Sequence, residues 1–309
     1  MHTIQGISGT GSIYIGLDFM AKMFPQRKCY IPSVSWENHE KICKEVNLPI
    51  GTYRYVDASG LRMDFEGMIA DLRAVEVGSI ILLHMCAHNP TGMDPTNEQW
   101  SIILEVMKEK NLFPFFDAAY QGFVSGDPDV DAFPVRLFVG AGCELMVASS
   151  FAKTFGLYGQ RAGALHVVTI SPATLPAVAS QLRVCARVVY STCPAHGARI
   201  VSTVLNNPEL HSLWRHECAE MAQRLASVRS TLLQELIDQN VKGDWSHLSL
   251  QRGMFSYSGI SAGAVRRLRS EFHIYLLESG RISLAGLNSS NISVFVRALK
   301  AILGSNDVA

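Results

Sequence analysis

Apolar residues recur along this chain in two alternating rhythms. "KCYIPSV" (28–34), "TYRYVD" (52–57), "SIILLHMC" (79–86), "LFPFFDAA" (112–119), "ELMVASS" (144–150) and "ALHVVTI" (164–170) are short, β-rich and nearly unbroken in hydrophobicity. Such runs predict buried strands. Between and around them, "GSIYIGLDFMAKMF" (11–24), "HEKICKEV" (39–46), "FEGMIADLRAV" (65–75) and "NEQWSIILEVMKEKN" (97–111) place apolar residues three and four apart. That spacing predicts amphipathic helices. Strands apolar throughout and separated by helices imply an α/β fold, a mostly parallel sheet sandwiched by helices. Ligands of such sheets sit beyond the carboxyl ends of the strands.

From about Ser171 the pattern turns mainly helical. "PELHSLWRHECAEMAQRLASVRSTLLQELIDQ" (208–239) predicts one very long helix linking two lobes. "GMFSYSG" (253–259), "AVRRLRSEF" (264–272), "IYLLESGRISLAG" (274–286) and "NISVFVRALKAIL" (291–303) then make a smaller α+β unit. The expected division is a large domain over 1–220 and a small C-terminal domain over 221–309.

Charge and composition narrow the function classes. Lys plus Arg and Asp plus Glu both total 27, and this balance argues against a general nucleic-acid or anionic-membrane binder. No apolar run approaches the roughly 20 residues of a membrane span. The opening "MHTIQGISGTGS" lacks a basic-then-apolar leader pattern. Seven cysteines, odd in number and without CxxC spacing, suggest neither a disulfide framework nor a zinc site. The expectation is a cytoplasmic protein with reduced thiols and no metal.

Four polar clusters fall at predicted strand ends. "SGTGS" (Ser8 to Ser12) sits directly before a helix, where hydroxyls and free N–H groups form an anion cradle, although the same residues also make an ordinary capping turn. It lacks the lysine of a nucleotide P-loop. "HMCAHNPTG" (His84 to Gly92) runs a strand into a turn, and turn chemistry alone accounts for Asn89, Pro90 and Gly92. In "LFPFFDAAYQGF", Asp117 ends a strand of unusual apolarity, so its carboxylate needs a cationic partner or caps the next helix; Tyr120 follows three residues later. In "SSFAKTFGLYGQRAGAL", Lys153 lies among small and apolar neighbours with Arg161 close behind. A desolvated lysine beside a second cation loses its proton readily and becomes a nucleophilic amine. Ser150 and Arg161 can share an anion. A phosphate cradle, a buried acid, an aromatic neighbour and a reactive lysine together match the requirements of pyridoxal 5′-phosphate.

"SGTG", "WENH" (Trp36 to His39), "CAHNPTG", "FFDAAYQGF", "SFAKTFGLYGQR", "GMFSYSG" and "GRISLAG" occur in the order and approximate spacing of the class I aminotransferases. The chain resembles that family, and its aspartate aminotransferase branch in particular, over nearly its whole length. The resemblance implies that Lys153 bonds covalently to the cofactor. It implies that Ser8, Gly9, Thr10, Ser150 and Arg161 hold the phosphate, and that Asp117 pairs with the ring nitrogen. Asn89 and Tyr120 would bond the ring's phenolic oxygen, Trp36 would stack on the ring, and His39 and His84 would form the network behind Asp117. Arg281 would grip the substrate α-carboxylate. Arg187, in "RVVYSTCPAHGAR", would reach across a homodimer interface to the distal carboxylate of aspartate or 2-oxoglutarate.

The chain departs from the family pattern in two places. The segment that normally precedes "SGTG", including a tyrosine that touches the neighbouring subunit's phosphate, is not present, and Thr192-Cys193 stand where the family reads Asn-Pro. These departures keep two alternatives open beside aspartate transamination: a broader aminotransferase that also takes aromatic amino acids, and a catalytically silent relative acting in binding or assembly.

Overall fold

The computed structural model describes residues 1–304; the expected small domain's last five positions, 305–309, lie outside the described residues. In chain order the elements begin with β1 (His2–Ile7), α1 (Ser8–Met23), β2 (Cys29–Pro32), α2 (Glu37–Glu45) and β3 (Ile50–Tyr53). They continue with α3 (Phe65–Ala74), β4 (Ile80–His84), α4 (Asn97–Glu109), β5 (Phe113–Ala118), α5 (Pro128–Asp131) and α6 (Phe133–Gly140). Next come β6 (Leu145–Ser150), β7 (Ala162–Val168), α7 (Leu175–Val189), α8 (Ala195–Asn206) and α9 (Pro208–Asp238). The chain closes with β8 (Phe255–Tyr257), α10 (Ala262–Phe272), β9 (Arg281–Ser283) and α11 (Ile292–Gly304).

Seven strands form one sheet in the order β1-β7-β6-β5-β4-β2-β3. β3, β2, β4, β5 and β6 pair in parallel, whereas β7 pairs antiparallel with both β6 and β1. The expected mostly parallel, helix-flanked sheet is therefore present, with β8 and β9 forming a separate antiparallel pair. Consecutive residues of β5 serve opposite faces. Phe115 packs into a core with Ile15, Leu17 and Leu182, and Phe116 into a second core with Trp100, Phe138 and Leu232. That second core runs on to Val265 and Leu299, so the C-terminal helices share apolar packing with the sheet.

Pro114 is tolerated inside this central strand for a local reason. Phe113 donates its N–H to Ser79 on the β4 side, and pairing with β6 begins only at Phe115. Pro114 therefore withholds a donor where no partner strand requires one. α9 is continuous over 31 residues, opened by Pro208 and by Asn207, whose side chain accepts from the N–H groups of Glu209 and Leu210. Residue 220, the expected domain boundary, falls inside it.

Three features differ from the sequence expectation. β1 is a strand the pattern did not reveal, because its apolar residues are few and it gains its place by pairing with β7 along six residues. β3 ends at Tyr53, short of the expected 52–57, where Arg54 turns away to pair with Asp71 at 2.6 Å. α5 and α6 also went unpredicted. Among the described residues, no helix is long and apolar enough to cross a membrane.

Candidate active site

The carboxyl ends of β4, β5 and β6 open on a cavity of about 190 Å³. Ser8, Gly9, Thr10, Trp36, Asn89, Asp117, Tyr120, Ser150, Lys153 and Arg161 all line it, joined by Ile13, Ala119, Ala152 and Tyr158. The ten sequence-selected residues thus converge on one space from six separate segments of the chain.

One wall is an anion cradle. The expected loop before the first helix is instead that helix's own first turn: α1 begins at Ser8, with no side-chain cap and no acidic residue in the first turn. The N–H groups that follow Ser8 therefore keep their positive field for a ligand. Ser8 Oγ lies 3.0 Å from Ser150 Oγ, and the Ser8 N–H donates to the Arg161 carbonyl at 2.9 Å. Gly163 permits this approach of α1 to the sheet. A Cβ there would stand 2.5 Å from the Ser8 carbonyl carbon and 2.7 Å from the Ser149 oxygen.

Asp117 forms the floor. It is only 6% exposed, and burial raises its pKa; the His39 hydrogen bond and the nearby charges of His39, His84 and Lys153 outweigh that, leaving the carboxyl below its ordinary value. His39 Nε2 lies 3.0 Å from Asp117 Oδ2, and Ser35 Oγ lies 2.8 Å from His39 Nδ1. With the imidazole proton on Nε2, Ser35 donates to the ring and the ring donates to Asp117. Burial keeps His84 and His88 far below the ordinary histidine pKa. The three rings pack in series, with centroids 5.1 Å apart for His39–His84 and 4.2 Å for His84–His88. Asp117 Oδ1 has no hydrogen-bond partner among the described residues. A buried carboxylate oxygen left open is costly unless a ligand donor completes it.

Lys153 Nζ sits over the Tyr120 ring, 3.6 Å from its centroid. Burial, together with the Arg281 and Arg161 charges, outweighs the pull of Asp117 and lowers the amine's pKa to about 8. Tyr120 has its phenol pushed well above the usual range by burial, and its oxygen accepts from Asn89 Nδ2 at 3.2 Å. Asn89 is held by its turn. Asp94 accepts from the N–H groups of Ala87 and His88 at 2.7 and 2.9 Å, and Gly92 closes back on His88 at 2.7 Å.

Arg281 lies in an adjoining cavity of about 430 Å³ that shares Trp36 and Asn89 with the first. Its Nη1 donates to Asn89 Oδ1 at 3.0 Å, and its guanidinium lies 4.3 Å from the centre of the Phe255 ring. Arg187 is not brought to either cavity: it is exposed on α7. The supporting roles of Phe255 and Asp94 escaped the sequence reading. Phe255 lies in "GMFSYSG" and Tyr158 in "GLYGQR", motifs already singled out, but nothing in either motif marks which side chain faces the cavity. Among the described residues, no group of His, Cys, Asp and Glu is arranged to hold a metal ion.

A lysine with a depressed pKa, an open buried carboxylate and an anion cradle at the ends of a parallel sheet define a site for a phosphorylated aldehyde cofactor acting on amines. Residues 1–299 match the family model described as aminotransferase class I and II, and the chain belongs to that family. It is 49% identical over 300 residues to the cytoplasmic aspartate aminotransferase of Dictyostelium discoideum, covering 97% of this chain and 68% of the relative. Aspartate aminotransferase 1 of Medicago sativa is 46% identical over 301 residues, with 97% of this chain and 72% of the relative covered. The aromatic-amino-acid aminotransferase of Burkholderia pseudomallei, solved covalently bound to pyridoxal phosphate, superposes with a TM-score of 0.94 at 43% identity, covering 97% of this chain and 75% of that one.

Proposed function

We propose that this protein is a pyridoxal-phosphate-dependent aminotransferase that moves the amino group of L-aspartate to 2-oxoglutarate, giving oxaloacetate and L-glutamate. The observation that carries this reading is Lys153, an amine with pKa about 8 in the same cavity as the open oxygen of Asp117. The residues present fit the cofactor. The first turn of α1 with Ser8, Gly9, Thr10, Ser150 and Arg161 would hold the phosphate, Trp36 would cover the ring, and Asn89 and Tyr120 would meet the phenolic oxygen. Asp117 Oδ1 would accept the ring nitrogen's proton, completing the one carboxylate oxygen the fold leaves open. When bound, the cofactor supplies an aldehyde for an amine to bond and a ring that withdraws electrons from the substrate's Cα.

The chain's own residues perform the rest. Lys153, half neutral near pH 8 as a free amine, would supply the group that bonds the cofactor's aldehyde and, when free, could take a proton from the substrate Cα and return it. Asp117, kept ionised by the His39 hydrogen bond, would hold a proton on the bound ring's nitrogen. Arg281, fixed between Asn89 and Phe255, presents a planar fork to the α-carboxylate. Arg187 would be brought from the second subunit of a homodimer to the distal carboxylate, in keeping with its exposure on α7. Cytoplasmic residence is proposed alongside, in line with the relative from Dictyostelium discoideum.

Protein purified with cofactor should show a visible or near-ultraviolet absorption band that vanishes in Lys153→Ala; no band in the wild type would reject the assignment. Arg187→Ala should lower kcat/KM for aspartate and spare phenylalanine, whereas equal losses would favour the broader-specificity reading.

A further inference from the structure

The only arginine among the described residues that is almost completely buried lies outside both cavities. Arg229, on α9, is 7% exposed and has no carboxylate partner among the described residues. Its ordinarily very high pKa is lowered to about 10 by burial. Placing a cation there is costly unless neutral oxygens satisfy it. The fold supplies three of them, all from one short stretch. Nη2 donates to the carbonyls of Gly253 and Phe255 at 2.8 and 3.2 Å, and Nη1 donates to Ser256 Oγ at 3.1 Å.

That stretch runs into β8, half of a pair of three-residue strands that is marginal by itself. Its register sets Tyr257 opposite Arg281 and Phe255 opposite Ser283. The Phe255 ring carries the Arg281 guanidinium at 4.3 Å and meets the Tyr120 ring edge-on at 5.9 Å. A second clamp tightens the same strand. Gln251 accepts from Ser256 Oγ and, at 3.0 Å, from the Tyr257 N–H, while donating to the Tyr257 carbonyl at 3.0 Å.

We propose that Arg229 is a positioning residue for the substrate's α-carboxylate. From α9 it fixes the backbone of β8, which fixes the Phe255 ring, which sets the guanidinium of Arg281. The inference rests on the aminotransferase reading for the role of Arg281. Two points favour a positioning role over simple packing. The two Nη nitrogens of Arg229 together hold two carbonyls and a hydroxyl of one segment, which an aliphatic side chain could not do, and among the described residues only one other side-chain contact, Asn89, fixes the Arg281 head group.

The test uses the cofactor-loaded enzyme and two donors, aspartate and isoasparagine, in which the α-carboxylate is an amide. Arg229→Met should lower kcat/KM for aspartate about tenfold, mainly through KM, in line with the loss of an aligned cation–π platform. Activity with isoasparagine should stay within about twofold, because that substrate makes no ion pair with Arg281. In an Arg281→Ala background the same substitution should have no further effect. Arg229→Lys, which keeps the charge but not the fork, and Phe255→Leu, which leaves Arg229 bonded to backbone, should show the same split and decide the matter if Arg229→Met does not fold. Equal losses for both donors, or additive losses in the double variant, would overturn the proposal. A wild type without transamination would instead overturn the underlying aminotransferase reading.

Discussion

Replacing Lys153 with methionine should stabilise the cofactor-free protein, although it abolishes the chemistry. Methionine has a similar length and no charge to desolvate. The amine's pKa falls from an ordinary 10.5 to about 8 on folding, so the unfolded chain holds the proton more tightly than the native state. Below pH 8 that difference destabilises the fold by its full amount, about 3 kcal/mol. The penalty fades as pH rises from 8 toward 10.5, and at pH 9.5 about 1.5 kcal/mol remains. Loss of the contact between the amine and the Tyr120 ring offsets about 1 kcal/mol of the gain. Denaturant unfolding at pH 7 should therefore find Lys153→Met more stable than wild type by about 2 kcal/mol, and at pH 9.5 nearly equal to it. A difference that does not change between these two pH values would show that the amine is not held as a reluctant cation. The argument from burial would then fail.

Two further substitutions probe the walls of the cavity. His39→Asn removes the imidazole that counters burial at Asp117, so the carboxyl pKa should rise and the acidic limb of the kcat/KM profile should move to higher pH; an unmoved limb would separate His39 from Asp117. Gly163→Ala places a Cβ 2.5 Å from the Ser8 carbonyl carbon, which should push the first turn of α1 off the sheet and weaken cofactor affinity about tenfold or more, read by absorbance titration.

Much of the site could be read along the chain because its members sit at strand ends whose apolar runs are plain. Asp117 closes "LFPFFD", Ser150 closes "ELMVASS", and each strand points its last polar residue at the same edge of the sheet. The motif around Lys153 was legible only in conjunction: a lone lysine there reads as a surface residue, but one found with a phosphate cradle, a buried acid and an aromatic neighbour does not. The partner of Asp117 came from the family resemblance and not from local pattern: His39 lies 78 residues away on α2, and no periodicity ties the two. The first turn of α1 was misplaced by three residues because glycine and serine read as a turn when the sheet that supports them is out of view.

Sequence alone determined the alternation of strand and helix, the length of α9 to within a residue, and the chemical types gathered at the strand ends. These follow from local rules: the two-residue and 3.6-residue repeats of apolar side chains, and the conformational preferences of glycine and proline. Tertiary structure decided which charges survive. Only packing lowers the lysine's proton affinity, leaves one oxygen of the buried aspartate open, and sets Arg281 on a phenylalanine secured by a helix elsewhere in the chain. Desolvation and distance are properties of neighbours in space, and a linear sequence specifies those neighbours only after it folds.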